Sequence, residues 1–84
     1  MAELRVIRWA IEWRSKNRLD GERRHFIWAP LGPVLFDTRQ RARGYVEDIY
    51  GYIRERPDLR AEPHGWRMPR AVRVEVILKA LRRG

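Results

Sequence analysis

Ile7, Trp9, Ile11 and Trp13 alternate with Arg8, Ala10, Glu12 and Arg14. Successive side chains of an extended chain point to opposite faces, so this period-2 pattern, running from Leu4 to Ser15, specifies a strand with one buried and one wet face. A helix would scatter the same bulky groups around its circumference. The rest of the chain must therefore supply partners for a long, half-apolar strand.

"KNRLDG", Lys16 to Gly21, offers Asn17 and the pair Asp20-Gly21, which tolerate left-handed backbone angles and close a hairpin. A second strand follows over 22–29, with Phe26, Ile27 and Trp28 as β-formers. "PLGP", Pro30 to Pro33, breaks it, and the strand resumes over 34–36. A helix is predicted over 38–50. Asp37 or Thr38 can cap it, and Ala42, Tyr45, Val46, Ile49 and Ile53 recur at intervals of three and four. Gly51 reads as a left-handed cap and Pro57 as a stop.

The segment "RPDLRAEPHGWRMPR", Arg56 to Arg70, spaces Pro57, Pro63 and Pro69 six residues apart and holds four arginines, His64 and Trp66. It reads as a long proline-containing crossover loop over 54–70. A last strand over 71–78 alternates Val72, Val74, Val76 and Leu78 with Arg73, Glu75 and Ile77, and 79–84 forms a basic tail. The expected fold is a single α+β domain over 1–84. It is a small two-layer ββαβ unit, a three-stranded mixed sheet with one amphipathic helix on one face. The first strand lies between the other two, antiparallel to both, and the tryptophan face and the last-strand valines pack on the helix. Arg8, Arg14 and Arg73 occupy the wet face.

Size sets the stability problem. A domain of 84 residues hides roughly 60 to 65% of the surface of its unfolded chain, and without cysteine neither a disulfide nor a thiolate metal site can reinforce it. Arg5 and Arg8 interrupt the early apolar region, so no secretory signal is expected. The longest uncharged run, Phe26 to Phe36, is far short of the roughly 20 residues a membrane helix needs. The expected location is the cytoplasm, with no membrane partner.

Catalysis has few residues to work with. The chain has one serine, one threonine and two histidines, His25 and His64, so a nucleophile–histidine–carboxylate constellation has almost no candidates. His64 beside Asp58 and Glu62 reads as a loop histidine in an ordinary hydrogen bond. No catalytic residue, metal site or cofactor is assigned, and the chain is expected not to be an enzyme.

Charge points elsewhere. Nineteen basic against eleven acidic residues leave +8, which favours anionic partners such as nucleic acid. Seventeen of the nineteen are arginine, a skew that a GC-rich genome also produces. Three local clusters stand out. Arg14, Lys16, Arg18, Arg23 and Arg24 surround the hairpin turn, and a basic ribbon tip can enter a groove. Arg39, Arg41 and Arg43 crowd the helix start, where positive charge opposes the macrodipole and a docked phosphate would relieve it; Asp37 and Glu47 can neutralise them instead. Arg60, Arg67 and Arg70 flank Trp66, which either stacks on a base or folds back with Leu59 as a lid over the core.

"EWRSKNRLDGERRH", "LFDTRQRAR" and "YGYIRERPDLRAEPHGWRMPRAVRVEV" together resemble small uncharacterised proteins encoded by bacteriophages and prophages, over Glu12 to Val76. That family carries no established activity, so the resemblance implies a context, the cytoplasm of an infected bacterium, and no functional residue. Two functions are expected from the residues: nucleic-acid binding through the arginine clusters, or binding to a protein, either a host protein or a second copy of the chain as a homo-oligomer.

Overall fold

The structure, a computed structural model, describes residues 3–81 of the chain. Strand β1, Glu3–Asn17, is central. On one side it pairs antiparallel with β2, Gly21–Phe26, from Glu12↔Phe26 to Asn17↔Gly21, and with the short β5, Leu35–Phe36, at Trp9 and Ala10. On the other side β6, Trp66–Lys79, pairs antiparallel along the whole strand, from Glu3↔Lys79 to Ser15↔Trp66. A second small sheet joins β3, Trp28–Ala29, to β4, Gly32–Pro33.

The α+β architecture with one long helix is thus present, but the main sheet has four strands, not three, and every pairing in it is antiparallel. The cause lies in "PLGP". Gly32 at φ 141° reverses the chain into its own two-residue ribbon, and β5 then returns to β1 as a separate strand.

Helix α1, Arg39–Tyr50, starts at Thr38, whose Oγ1 accepts from Arg41 N at 3.2 Å. Gly51 is right-handed, at φ −56°, not the expected left-handed cap. The chain tightens there into a 3-10 turn, Gly51–Glu55, followed by the single-turn helix α2, Pro57–Arg60, with proline in its first turn. The crossover loop is correspondingly short. β6 begins at Trp66, five residues before the expected start, so Trp66, Arg67 and Arg70 stand on a strand. Pro69 conceals this in the sequence. It lies where the β1–β6 register slips between Glu12↔Arg70 and Arg14↔Arg67, a bulge in an edge strand, where a missing N–H costs no ladder bond.

Ile11 is fully buried beneath Ala42 and Val46 of α1, with Trp9, Phe36, Tyr45, Met68 and Ala71 packed around them. Ile53 of the 3-10 turn is also fully buried. Burying a side chain of this size stabilises by about 1.5–3 kcal/mol. Ile49 stays half exposed, which narrows the expected helix stripe.

Cross-strand partners share a face, and here the register overturns one expectation. Ala71 pairs with Ile11 and Arg73 with Trp9, so these face the helix. Val72, Val74 and Val76 pair with Ala10, Arg8 and Val6 on the opposite face. The last-strand valines therefore do not pack on α1, and Arg73 is not on the wet face. Alternation shows which residues of one strand share a face; only the pairing shows which face of the next strand joins them.

The hairpin tip is tied down. Asn17 Oδ1 accepts from Asp20 N at 2.7 Å, and Gly21 takes φ +70° to re-enter β2. Lys16 N donates to Gly65 O at 2.9 Å, and Arg18 N to a Glu62 carboxylate oxygen at 3.0 Å. The tip and the turn before β6 thus hold each other. Of the basic tail, Lys79 ends β6, and residues 82–84 lie outside the described residues.

Candidate nucleic-acid interface

The predicted arginines divide between two faces. Arg39 and Arg43, one helical turn apart, point from α1 into a groove of about 420 Å³ between the helix and the outer side of β6, where Arg70 meets them. A second groove of about 360 Å³ continues along β6 and is lined by Arg60, Arg67 and Trp66. Arg54, which the sequence did not single out, lines both. Two of the sequence clusters thus converge on one track beside a single strand. Six arginines and one carboxylate-bearing residue, Glu47, line it, with the guanidinium of Arg70 turned to Glu12 on the sheet face away from the helix.

Each guanidinium is held differently. Arg54 grips Glu47 with both terminal nitrogens, one at 2.7 Å, and this pair holds the Glu47 carboxyl below its ordinary value of 4.5. Arg60 donates to the Arg54 carbonyl at 3.1 Å, which moors α2 to the 3-10 turn. Arg39 sits over the Trp9 ring, 5.7 Å from its centroid, an arrangement that fixes its stem and leaves its charge uncancelled. Arg70 bonds Glu12 at 3.0 Å across the strand pair. Arg43 and Arg67 make no ion pair among the described residues.

Trp66 is half-buried, with part of its ring packed against the core and part at the surface. Its ring meets Trp13 edge to face at 5.2 Å and His64 at 5.6 Å, and its remaining surface lines the second groove. Trp13 also contacts Tyr50 at 5.9 Å and His25 at 6.4 Å, so a ring cluster closes this end of the core. Asp58 is taken by Arg56 at 2.7 Å, which lowers its carboxyl, so it forms no pair with His64. Among the described residues no three His, Asp or Glu side chains are grouped as a metal would need, and no helix is long and apolar enough to cross a membrane.

The remaining basic residues lie apart from this track. Arg41 pairs with Asp37 at 3.6 Å on another side of α1. Arg14, Lys16 and Arg24 gather with Glu22 in a smaller cleft on the sheet face away from the helix, and Arg67 at its margin links the cleft to the second groove. Arg24 is bonded to Glu22, whose carboxyl is lowered by it, and Arg23 reaches Asp20 at 3.6 Å. Arg14 has a structural duty: half-buried, it donates to Met68 O at 3.0 Å and braces the bulge of β6. Arg18 stays exposed at the turn. Sequence spacing missed Arg54 because the helix was expected to end at residue 50; the 3-10 turn carries the helical course on, so that Arg54 lies two turns past Glu47 on the same side.

No protein family, curated protein or solved structure matches this chain at a significant level.

Proposed function

We propose that this protein binds nucleic acid without catalysing a reaction, holding the phosphate backbone along the track beside β6. One observation carries the reading: six arginines from α1, the 3-10 turn, α2 and β6 line two adjoining grooves that contain a single carboxylate. Among the described residues Arg39, Arg43, Arg60 and Arg67 are unpaired with carboxylates and supply the contacts, while Trp66 offers a ring edge to a base. Arg14, Lys16 and Arg24 form a second, weaker patch that lengthens the footprint past Arg67, while Arg18 at the turn and Arg23, paired with Asp20, stand outside it. Groups of this kind read charge and not sequence.

Titration of labelled single-stranded DNA, duplex DNA and RNA at low salt tests the reading. Binding tighter than that of a charge-matched basic control supports it; binding no tighter sinks it. On the phage resemblance, the setting we propose is the cytoplasm of an infected bacterium.

A second reading has its own observation. Trp28 is 69% exposed and Leu31 fully exposed on the β3–β4 ribbon, and exposed tryptophan is a residue type that dominates protein interfaces. Loss of a partner from a nuclease-treated pull-down on Trp28→Ala, with oligonucleotide binding absent, would favour a host protein as the ligand.

A further inference from the structure

Beyond Trp9 the sheet narrows to two strands: Glu3–Arg8 of β1 with Val74–Lys79 of β6, paired from Arg8↔Val74 to Glu3↔Lys79. This ribbon is long and apolar for something so thin. Leu4 is 56% exposed, Ile7 42%, Ile77 51% and Leu78 57%, with Leu81 at 88% just beyond. A two-stranded ribbon is at best marginal in water unless a third strand or a packed layer joins it. The ribbon also draws the molecule out, to a radius of gyration of 16.1 Å against about 12 Å for a compact chain of this length. A strand that joins it pairs with one of its two free edges.

Hydrogen-bond parity and charge select the edge and the register. Ile11 turns its carbonyl toward the β2 side, accepting from Ile27 N, so even-numbered residues of β1 bond β6. On β6 the even-numbered residues bond back, and Glu75, Ile77 and Lys79 hold their backbone groups outward. A second copy docking antiparallel on this edge must match odd residues with odd. Centring on Glu75 sets Glu75 against itself, and centring on Val76 sets Arg73 against Lys79. Centring on Ile77 sets Glu75 against Lys79 twice and Val76 against Leu78 twice. The free edge of β1, centred on Arg5, sets Arg5 against itself; centred on Leu4 it sets Glu3 against Arg5, but over only Glu3–Arg5 of the described residues, whereas the Ile77 centre spans Glu75–Lys79. Opposite charges across a ladder stabilise and like charges oppose it.

We propose that two copies of this chain pair antiparallel through the outer edge of β6 about a twofold axis at Ile77, joining their ribbons into one four-stranded sheet. The half-buried Val76 and the exposed Leu78 become contiguous with their symmetry mates on one face, and Ile77 meets its counterpart on the other. The pairing stops short of Val72, so both arginine tracks stay open, one at each end of an elongated dimer. A centre at Val74 also sets opposite charges together, Arg73 against Glu75, but runs the partner's strand over the groove at Ala71 and leaves Leu78 facing Arg70. The proposal goes beyond the nucleic-acid reading and does not depend on it.

Sedimentation equilibrium from micromolar to sub-millimolar protein should show a mass rising to twice 10.2 kDa; a single-chain mass throughout overturns the proposal. Ile77→Lys should raise the dimer dissociation constant at least tenfold while its circular dichroism and oligonucleotide binding to the groove persist. Unchanged dimerisation in that variant overturns the interface. Cysteine pairing reads the register, since the chain has no thiol of its own. At a hydrogen-bonded pair Cα atoms lie about 5.5 Å apart, within disulfide reach. Ile77→Cys should cross-link on oxidation and Val74→Cys should not; the reverse result overturns the Ile77 axis.

Discussion

Gly65 is the residue with least freedom to change. It is buried at φ +62°, and a Cβ there would stand 1.9 Å from the Lys16 carbonyl oxygen, a backbone atom that cannot rotate away. Gly65→Ala therefore combines left-handed strain, about 1–3 kcal/mol, with a forced opening of the contact between the hairpin and the turn before β6. A loss of about 3 kcal/mol is expected, a fall in Tm of roughly 12–24 °C for a domain of this size, measurable by thermal denaturation. Glu47 makes the opposite kind of prediction, since it is the one carboxylate in the arginine track. Glu47→Gln should release Arg54 and tighten binding to oligo-dT. Lowering the pH below 4.5 should tighten binding further in the wild type than in the variant, because the other carboxyls titrate in both but Glu47, which titrates beneath that value, only in the wild type. The sign for stability is reversed. A carboxyl with a depressed folded pKa contributes stability above its unfolded value and loses it as pH falls through the folded one, so the Glu47–Arg54 pair weakens only in acid. Arg54 itself shows why single residues were hard to read in sequence. Seven residues on from Glu47, it lies two turns along the same side of a helix, and it went unread because the helix was expected to end at Tyr50, whereas the 3-10 turn continues its course.

Among the elements, β1 was legible and β6 only half so. Four alternating bulky residues leave a strand as the one economical reading of β1, and the crossover argument puts it between its neighbours, as the ladders do. In β6 the alternation of Val72, Val74 and Val76 was equally clear, yet the face it belongs to was not, because Ala71, a small residue under the helix, carries no signal of burial. The start of the strand was hidden by Pro69, which sequence reasoning treats as a breaker and the bulge accommodates. The track was visible only as separate clusters for the same reason: Arg67 and Arg70 were placed on a loop, and no loop reading aligns them with Arg39 and Arg43. Their joint action is measurable. Four unpaired arginines predict a slope of log K against log salt of about −3 on a single strand, at about 0.7 per phosphate neutralised. Arg43→Ala and Arg67→Ala should each reduce the slope by about 0.7 and weaken all sequences alike. Arg41→Ala, on a different side of α1, should leave the slope unchanged.

The whole molecule has two regions of unequal stability. Around Ile11, Val46 and Ile53 the sheet is covered by α1 and the 3-10 turn, while the ribbon of Glu3–Arg8 and Val74–Lys79 carries its apolar groups in water. Local opening follows such differences in burial. Amide exchange should accordingly be slow at Ile11 and much faster at Val6 and Val76. Protection at Ile77, whose N–H faces outward, should grow with protein concentration if a second copy covers it.

The pairing of β1 with β6 also orders events in time. In this sequence the central strand comes off the ribosome early and its longest partner comes last, with 48 residues between Asn17 and Trp66. At about 5–20 residues per second that gap lasts roughly 2 to 10 s. Throughout it the hairpin, β5 and α1 can cover part of β1, but the whole edge of β1 that β6 will take, from Glu3 to Ser15, stays open. An unfinished chain of this kind is an attractive client for chaperones and a hazard to its neighbours.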